Sequence, residues 1–340
     1  MIRNYQALLL SIGMFIVLFF VALKVGTISM SISELFNLLF FQKGTKEASL
    51  ILFAFRLPRV LSACLVGICL SVSGDILQKI TRNTIADSGI LGVSSGVAFG
   101  AVFYFFLLGN YQTSLSAFQS ISLMSFGLIG AFSALSLNLI LSISHRKLSM
   151  FRFILNGIGI GSGFSALVTF FSLKINADDY SRVNTWLQGS ISQVNWEKVV
   201  DMGAWVLPSL TLLFIFYPKL SLLRFSDTHL ETIGFSTTFW RVFFIVLAAI
   251  FICASVLTAG TIGFVGLLVP ALTRLMFFKK QQKGYLYGLC FNGMTLLLFC
   301  DLCSKMLFTP NELPLNAMMG LLGIPYLFYL FLGQRKEQQK

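Results

Sequence analysis

The sequence predicts an all-α polytopic membrane protein of about ten transmembrane helices, and three observations carry that reading. Of the 340 residues, 56% are hydrophobic and the mean hydropathy is +0.83. Only 11% are charged, against about 25% in a typical soluble domain. The apolar stretches run from one end of the chain to the other, separated by short polar segments. A soluble fold needs polar side chains to cover its surface, and this chain lacks them. Soluble enzymes, nucleic-acid binders, disordered proteins and soluble domains on one anchor are thereby excluded. With no Pro-rich or low-complexity linker, residues 1–340 read as one integral membrane domain.

A spanning helix needs about 20 apolar residues. The first runs from about residue 6 to 23, behind the short basic start Met1-Ile2-Arg3-Asn4. Its apolar stretch is too long for a signal peptide and shows no small-residue cleavage site, so it reads as a retained helix. Residues 32–41 form an apolar-rich stretch opening at Ser31 and Ser33, expected as a helix lying on the outer interface. The second span covers about 57–78. Residues 88–144 carry no charged residue and hold two spans, with Gly109-Asn110-Tyr111-Gln112-Thr113 as the turn between them. A fifth covers about 151–173 and a sixth about 199–216. Residues 220–235, of mixed polarity, read as a cytoplasmic helical segment. The charge-free run 242–273 holds two short or tilted helices broken near Thr258-Ala259-Gly260-Thr261. The ninth and tenth spans cover about 284–307 and 315–332.

An even number of spans puts both termini on one side. If that side is cytoplasmic, inside segments hold Arg3, Lys79, Arg82, Arg146, Lys147, Arg152, Lys219, Arg224, Arg241, Arg274 and the Lys279–Lys283 cluster. The outside holds fewer, among them Lys24, Lys43, Lys46, Arg56, Arg59, Lys174, Lys198 and Lys305. The inside excess supports cytoplasmic termini. It also accounts for much of the net charge of +12 without a nucleic-acid partner.

The six cysteines, Cys64, Cys69, Cys253, Cys290, Cys300 and Cys303, lie in or beside apolar runs and read as small hydrophobes. Two histidines, His145 and His229, are too few for a multi-His metal site. There is no G-x-x-x-x-G-K-[ST], so no P-loop binds ATP here. Ligands for a bare metal ion are scarce along the spans, so a metal cargo would travel inside an organic chelate.

Gly92, Gly96 and Gly100 repeat every four residues, as do Gly157 with Gly161 and Gly159 with Gly163. This spacing lets helix backbones approach in lipid; a ligand passage beside those helices is the alternative. Asp75 and Lys79 are four apart near a span end, which predicts a pair that snorkels inward. A proton relay would need acidic residues continuing across the bilayer, and none do. Asp301 and Lys305 repeat the spacing at the outer end of the ninth span.

Four ordered motifs remain. The first is Arg56-Leu57-Pro58-Arg59-Val60-Leu61-Ser62-Ala63, followed by Gly67, Ser73-Gly74, Gln78, Arg82-Asn83, Ala86-Asp87, Gly89 and Leu91-Gly92-Val93-Ser94-Ser95-Gly96. The second is Trp186-Leu187-Gln188-Gly189-Ser190 with Trp196. The third is Ile262-Gly263-Phe264-Val265-Gly266-Leu267-Leu268-Val269-Pro270 with Arg274, and the fourth Glu312-Leu313-Pro314 with Gly323-Ile324-Pro325. In this order they resemble the iron-siderophore, haem and vitamin B12 permease family of bacterial ABC importers (the FecCD type), over most of the chain.

The resemblance implies a type II ABC importer permease fold. Two ten-helix permeases would enclose a central pathway, with two separate ATPases below and a substrate-binding protein above. This chain would be no enzyme and would bind no cofactor or metal; ATP and Mg would be used by the partner ATPases. It would sit multi-pass in the bacterial cytoplasmic membrane. Arg56 and Arg59 would dock onto carboxylates of the binding protein, and Lys305 stands where the family usually has a third outer arginine. Asp227, Leu230, Ile233 and Gly234 fall in the coupling segment, about residues 220–235, and would press into an ATPase groove. The loop at Asn83, Thr84 and Ile85 and the loop holding Ser144 and His145 resemble the cytoplasmic gate.

Four departures stand out. Thr84 replaces a usual Pro, Ala271 a usual His, and Asn316 a common Gly, while Lys279-Lys280-Gln281-Gln282-Lys283 replaces an Asp-His-Arg-like stretch. They suit one half of a heterodimer better than a homodimer. The resemblance favours a ferric-siderophore cargo, the broadest class of the family, with haem or cobalamin as alternatives. A secondary transporter would need midplane carboxylates and inverted repeats, and a membrane enzyme a catalytic constellation; the sequence offers neither.

Overall fold

The computed structural model describes residues 2–26, 30–41, 44–111, 123–144, 147–277, 282–307 and 312–338. Fourteen α-helices account for almost all of the order: α1 (Ile2–Lys24), α2 (Ile32–Phe41), α3 (Lys46–Leu50), α4 (Leu57–Thr81), α5 (Val93–Tyr111), α6 (Leu123–Ser142), α7 (Met150–Ser172), α8 (Ala177–Leu187), α9 (Trp196–Leu222), α10 (Asp227–Thr232), α11 (Thr237–Ala259), α12 (Val265–Met276), α13 (Gln282–Leu307) and α14 (Leu315–Gln338). Seven stretches are long and apolar enough to cross a membrane: those of α1, α6, α7, α9, α11 and α13, and the run Lys46–Thr81 that ends in α4. Helices α5 and α12 are shorter apolar helices. With α14 they occupy the ten stretches expected from hydropathy.

Helix α2 spans the expected residues. Its start follows from a reciprocal cap: the Glu34 N–H donates to Ser31 Oγ at 3.1 Å, and the Ser31 N–H to Glu34 Oε2 at 3.0 Å. The expected second span is longer than read. α3, a π-helical turn over Ile51–Arg56 and α4 continue without a break. Pro58 has no N–H to donate into this continuous helix; it follows closely on the π-helical turn, where the Phe53 carbonyl accepts from Trp196 Nε1 at 2.7 Å instead. The break inside 242–273 lies between α11 and α12, as expected, with Gly260 at φ 74°. Two elements carry no hydropathy signal and were missed. One is α8, which is too polar to read as a span. The other is a hairpin in which β1 (Ile143–Ser144) pairs antiparallel with β2 (Lys147–Leu148).

The core is built around α4, which packs against α1, α9, α11, α12 and α13. Its residues from Val60 to Ile80 are mostly buried, on all sides. Such an all-round apolar helix belongs at the centre of a bundle. Helices α5, α6 and α7 form a second layer, and α11 joins the two by contacting α4, α5, α6 and α9.

Glycines set the spacing between several helices. A Cβ at Gly96 would lie 2.4 Å from the Gly130 carbonyl oxygen, and one at Gly130 only 2.0 Å from that of Gly96. Gly100 similarly faces the Phe126 carbonyl, Gly67 faces Gly293, and Gly74 faces Gly266. In lipid, where apolar burial adds little between helices, this close backbone contact supplies the packing. Gly92 differs: at φ 73° it ends a 3-10 turn over Ser88–Leu91 and lies against Gly157 and Gly161 of α7.

Candidate functional site

Three places gather the residues singled out in the sequence. The first is the end of the bundle where α4 begins. Arg56 is buried, and its Nη1 donates to the carbonyl oxygens of Leu23 at 2.7 Å and Lys24 at 2.8 Å. It therefore satisfies orphan carbonyls at the C-terminus of α1. Arg59 lies between two carboxylates. Its Nη2 donates to Asp301 Oδ1 at 2.7 Å, and its Nη1 and Nη2 reach Glu312 at 2.8 Å each. Lys305 Nζ is 2.9 Å from Asp301 Oδ2. Asp301 is fully buried, and two cations offset the cost of its charge. The spacing of Asp301 and Lys305 announced their pair; the involvement of Arg59 and Glu312 had no local signal.

The second place lies inside the bundle, in the last turns of α4. Asp75 and Lys79 form the expected ion pair at 2.5 Å, but they do not snorkel. They are 1% and 4% exposed. The reason is two tyrosines from other helices. Tyr217 of α9 donates to Asp75 Oδ2 at 3.1 Å and also bonds the Lys79 ammonium. Tyr285 of α13 donates to Asp75 Oδ1 at 3.0 Å. With these partners the pair stays inside at a bearable cost. One turn away, Arg274 Nη1 donates to Gln78 Oε1 at 2.6 Å, and Gln78 Nε2 donates to the Gly266 carbonyl at 3.1 Å.

The motifs meet beside this network. The Ser190 N–H donates to the Ala259 carbonyl at 2.9 Å, and the Leu315 N–H to the Gly189 carbonyl at 3.0 Å. Thr261 Oγ1 donates to the Leu187 carbonyl at 2.6 Å. A Cβ on Gly260 would lie 1.9 Å from the Trp186 carbonyl oxygen, so only glycine fits. Asp87 Oδ2 accepts the N–H of Phe264, a residue at φ 65° at the start of α12. Asn316, one of the departures, accepts the Gly263 N–H at 3.1 Å. Four motifs distant in sequence thus hold one helix break.

The third place is the opposite end. Ser226 caps α10, and Asp227 at its first position turns back into the chain. Arg241 of α11 grips it with both terminal nitrogens, Nη1 to Oδ2 at 2.9 Å and Nη2 to Oδ1 at 2.7 Å. Arg82 adds a third contact at 2.5 Å. Partial burial works against the Asp227 charge, but the hydrogen bonds and charges of Arg241 and Arg82 outweigh it. The carboxyl is held below the usual carboxylate range. Arg82 ends α4 in the left-handed region at φ 53°. A non-glycine residue pays about 1–2 kcal/mol there. Its guanidinium offsets this through bonds to the carbonyls of Leu223 and Phe225 besides Asp227.

The four coupling residues divide by exposure. Leu230 is 2% exposed and anchors α10 against the chain, while Ile233 is 69% exposed and projects from it. Gly234 at φ 73° closes the helix with its N–H on the Glu231 carbonyl, while the Phe235 N–H reaches Leu230. The two loops read as a gate both touch this assembly. Residues 83–85 follow Arg82 directly, and Asn83 Oδ1 accepts the Ile85 N–H at 3.0 Å; Thr84 is exposed. Ser144 pairs with Lys147 in the hairpin, and Lys147 Nζ is 2.8 Å from Glu231 of α10. His145 lies outside the described residues. Arg241 and Glu231 were not singled out for this place by sequence reasoning; Arg82 stood in a motif, and Lys147 ended the loop, residues 142–147, that resembled a gate.

The FecCD transport family model matches residues 14–333. The chain is 33% identical to the iron-uptake system permease protein FeuC of Bacillus subtilis (strain 168), over 97% of this chain and 98% of that one. It is 31% identical to the hemin transport system permease protein HmuU of Yersinia pestis, over 93% and 92%. A solved metal-chelate type ABC transporter in an inward-facing conformation superposes with a TM-score of 0.81 at 25% identity, covering 97% of this chain and 99% of that one. Motifs, bundle and relatives agree, and the chain belongs to the FecCD transport family, as a membrane-spanning permease subunit of an ABC importer and not an enzyme.

Proposed function

We propose that this permease moves a ferric-siderophore complex inward across the bacterial cytoplasmic membrane. The cargo reading rests on the iron-uptake relative, which matches nearly end to end. The mechanical reading rests on one observation: Asp227 joins the coupling helix α10 to the ends of α4 and α11. Ile233 would insert into an ATPase that uses ATP and Mg. Closure of the nucleotide site would pull α10, and Asp227 and Glu231 would pass that displacement to residues 83–85 and to the hairpin at Ser144. Switching between two packed arrangements is the family of motions this requires.

In this reading the α10 end and both termini are cytoplasmic, and the end with Arg59 is outside. The binding protein docks on that outer rim, where Arg59 and Lys305 supply cations and Arg56 fixes the rim beneath them. Because Asp301 and Glu312 already hold Arg59, docking exchanges carboxylates instead of filling an empty site. That favours register and on-rate over raw affinity. A second permease would cover α7, whose open face carries Gly159, Ser162, Gly163 and Thr169. Small and hydroxyl-bearing residues suit a helix partner or a pathway better than lipid. The departures at Thr84, Ala271 and Asn316 favour a heterodimer.

A haem cargo is the second reading, favoured by the hemin permease relative. The test is uptake of iron-55 on a panel of siderophores, beside haem and cobalamin, in cells with and without the chain. Loss of one siderophore's uptake, restored by wild type, is expected. Loss of haem uptake alone would overturn the cargo and keep the importer.

A further inference from the structure

A surface trough is lined by residues apart from the Arg59 cluster, the open face of α7 and the α10 assembly. On the Arg59 end, Trp196 Nε1 at the start of α9 donates to the Phe53 carbonyl at 2.7 Å. Just inside, the first turns of α9 open onto a cavity of about 210 Å³. Its polar wall is Asn195, Glu197, Lys198 and Asp201. A second cavity of about 170 Å³ continues from it, lined by α6, α9 and α11, with Leu128, Phe132, Ile250 and Cys253 in its walls. The two share Met124, Trp205, Ala254 and Leu257, so they form one trough.

Its dimensions and polarity have one natural match. Along α11 the trough runs from Thr258 to Val246, about 18 Å at 1.5 Å per residue. One leaflet's share of the hydrocarbon core is about 15 Å. The polar mouth and apolar floor therefore span a headgroup and an acyl chain. Trp205 stands where the mouth gives way to the floor, as aromatic residues do at a lipid interface.

The charges narrow the headgroup. Lys198 is half-buried, and its ammonium makes no hydrogen bond or ion pair among the described residues. Glu197 and Asp201 flank it, both exposed. A phosphate would take Lys198, and a headgroup ammonium would take the two carboxylates. A purely anionic headgroup would meet two carboxylates for one lysine. Residues 112–122 of this chain, which lead into α6, contain no charged side chain to satisfy Lys198.

We propose that this trough is a binding site for one zwitterionic aminophospholipid of the leaflet on the Arg59 end, phosphate on Lys198, headgroup amine toward Glu197 and Asp201, and an acyl chain along α11. The lipid would act as a removable wedge between α6 and α9, two helices that both pack on α11.

The test is native mass spectrometry of the full-length chain, purified with the subunits that accompany it, delipidated and titrated with phosphatidylethanolamine, phosphatidylcholine or phosphatidylglycerol. One phosphatidylethanolamine is expected to bind at least tenfold more tightly than phosphatidylglycerol. Lys198→Ala should weaken it about tenfold. Ala254→Leu, which fills the floor and leaves the charges, should displace it while other bound lipids remain. Equal binding of phosphatidylglycerol, or retention by both variants, would overturn the proposal. So would lipid binding that arises only after residues 112–122 are removed, since that segment would then be the occupant. A cysteine placed at Ala131 that cross-links two copies would assign the trough to a subunit interface and likewise overturn it.

Discussion

Asp227 is the residue on which most of the geometry at the α10 end converges. Replacing it by Asn keeps the shape and removes the charge, leaving the almost fully buried Arg241 without its counter-ion. The expected loss is about 1–3 kcal/mol, with uptake lost before the chain unfolds. Transport assays and thermal unfolding of the same preparation separate the two effects. The pH dependence follows from the depressed Asp227 carboxyl. A lowered folded-state pKa contributes stability that is complete above the ordinary aspartate value of about 3.9 and is lost as pH falls through the folded value. The difference in melting temperature between wild type and Asp227→Asn should therefore be constant near neutrality and shrink below about pH 4. At the other end, Asp301→Asn is expected to remove the buried counter-charge shared by Arg59 and Lys305 and to cost more than Glu312→Gln. Asp301 is fully buried between the two cations, whereas Glu312 is exposed. Unfolding midpoints of the two variants test that order.

Among the elements, the α5–α6 pair makes the sharpest case. Gly96→Val would drive Cβ into the Gly130 carbonyl, and backbone cannot yield as a flexible side chain can. A loss of about 1–3 kcal/mol or more is expected, read as lower yield of folded chain. Nothing lies within 4 Å of a Cβ at Gly159 on α7, so Gly159→Leu should leave the isolated chain folded. What the sequence disclosed at this scale followed hydropathy. The broken pair α11 and α12 and the helix α2 were legible, because a charge-free run of fixed length or a capping serine marks them locally. Helix α8 and the hairpin at residues 143–148 were not, because polar segments between spans carry no period that separates helix from loop. The same divide runs through the sites. Asp301 with Lys305 could be read from a four-residue spacing. The burial of Asp75 and Lys79 could not, since it depends on Tyr217 and Tyr285, more than a hundred residues away.

For the molecule as a whole, the open face of α7 decides whether the chain works alone. If a second permease covers it, Gly159→Leu should fold, insert and fail to assemble. Size-exclusion chromatography of the complex would show the loss, beside abolished uptake. Unchanged assembly would place the partner elsewhere. The motifs were informative at this scale for a physical reason. They gather at the break between α11 and α12, where Trp186, Gly189, Gly260, Asp87 and Asn316 hold backbone groups that no regular helix could satisfy. Such positions tolerate few residue types, as a Cβ at Gly260 would show by meeting the Trp186 carbonyl oxygen at 1.9 Å.

The buried Asp75–Lys79 pair also has a consequence for biogenesis. Both charges belong to an early span, and their hydroxyl partners Tyr217 and Tyr285 are translated much later. A lone charge resists membrane insertion by about 2.5–3.5 kcal/mol at a helix centre and by less toward a helix end, where Asp75 and Lys79 stand on α4. Four residues apart, the two can neutralise each other on the nascent helix before the rest of the bundle exists. The pair thus lets α4 enter the bilayer early and wait there, incompletely solvated, for α9 and α13. Separating the charges by one residue should therefore be felt first at the translocon, as a failure of the emerging helix to integrate, and only afterwards in the finished transporter.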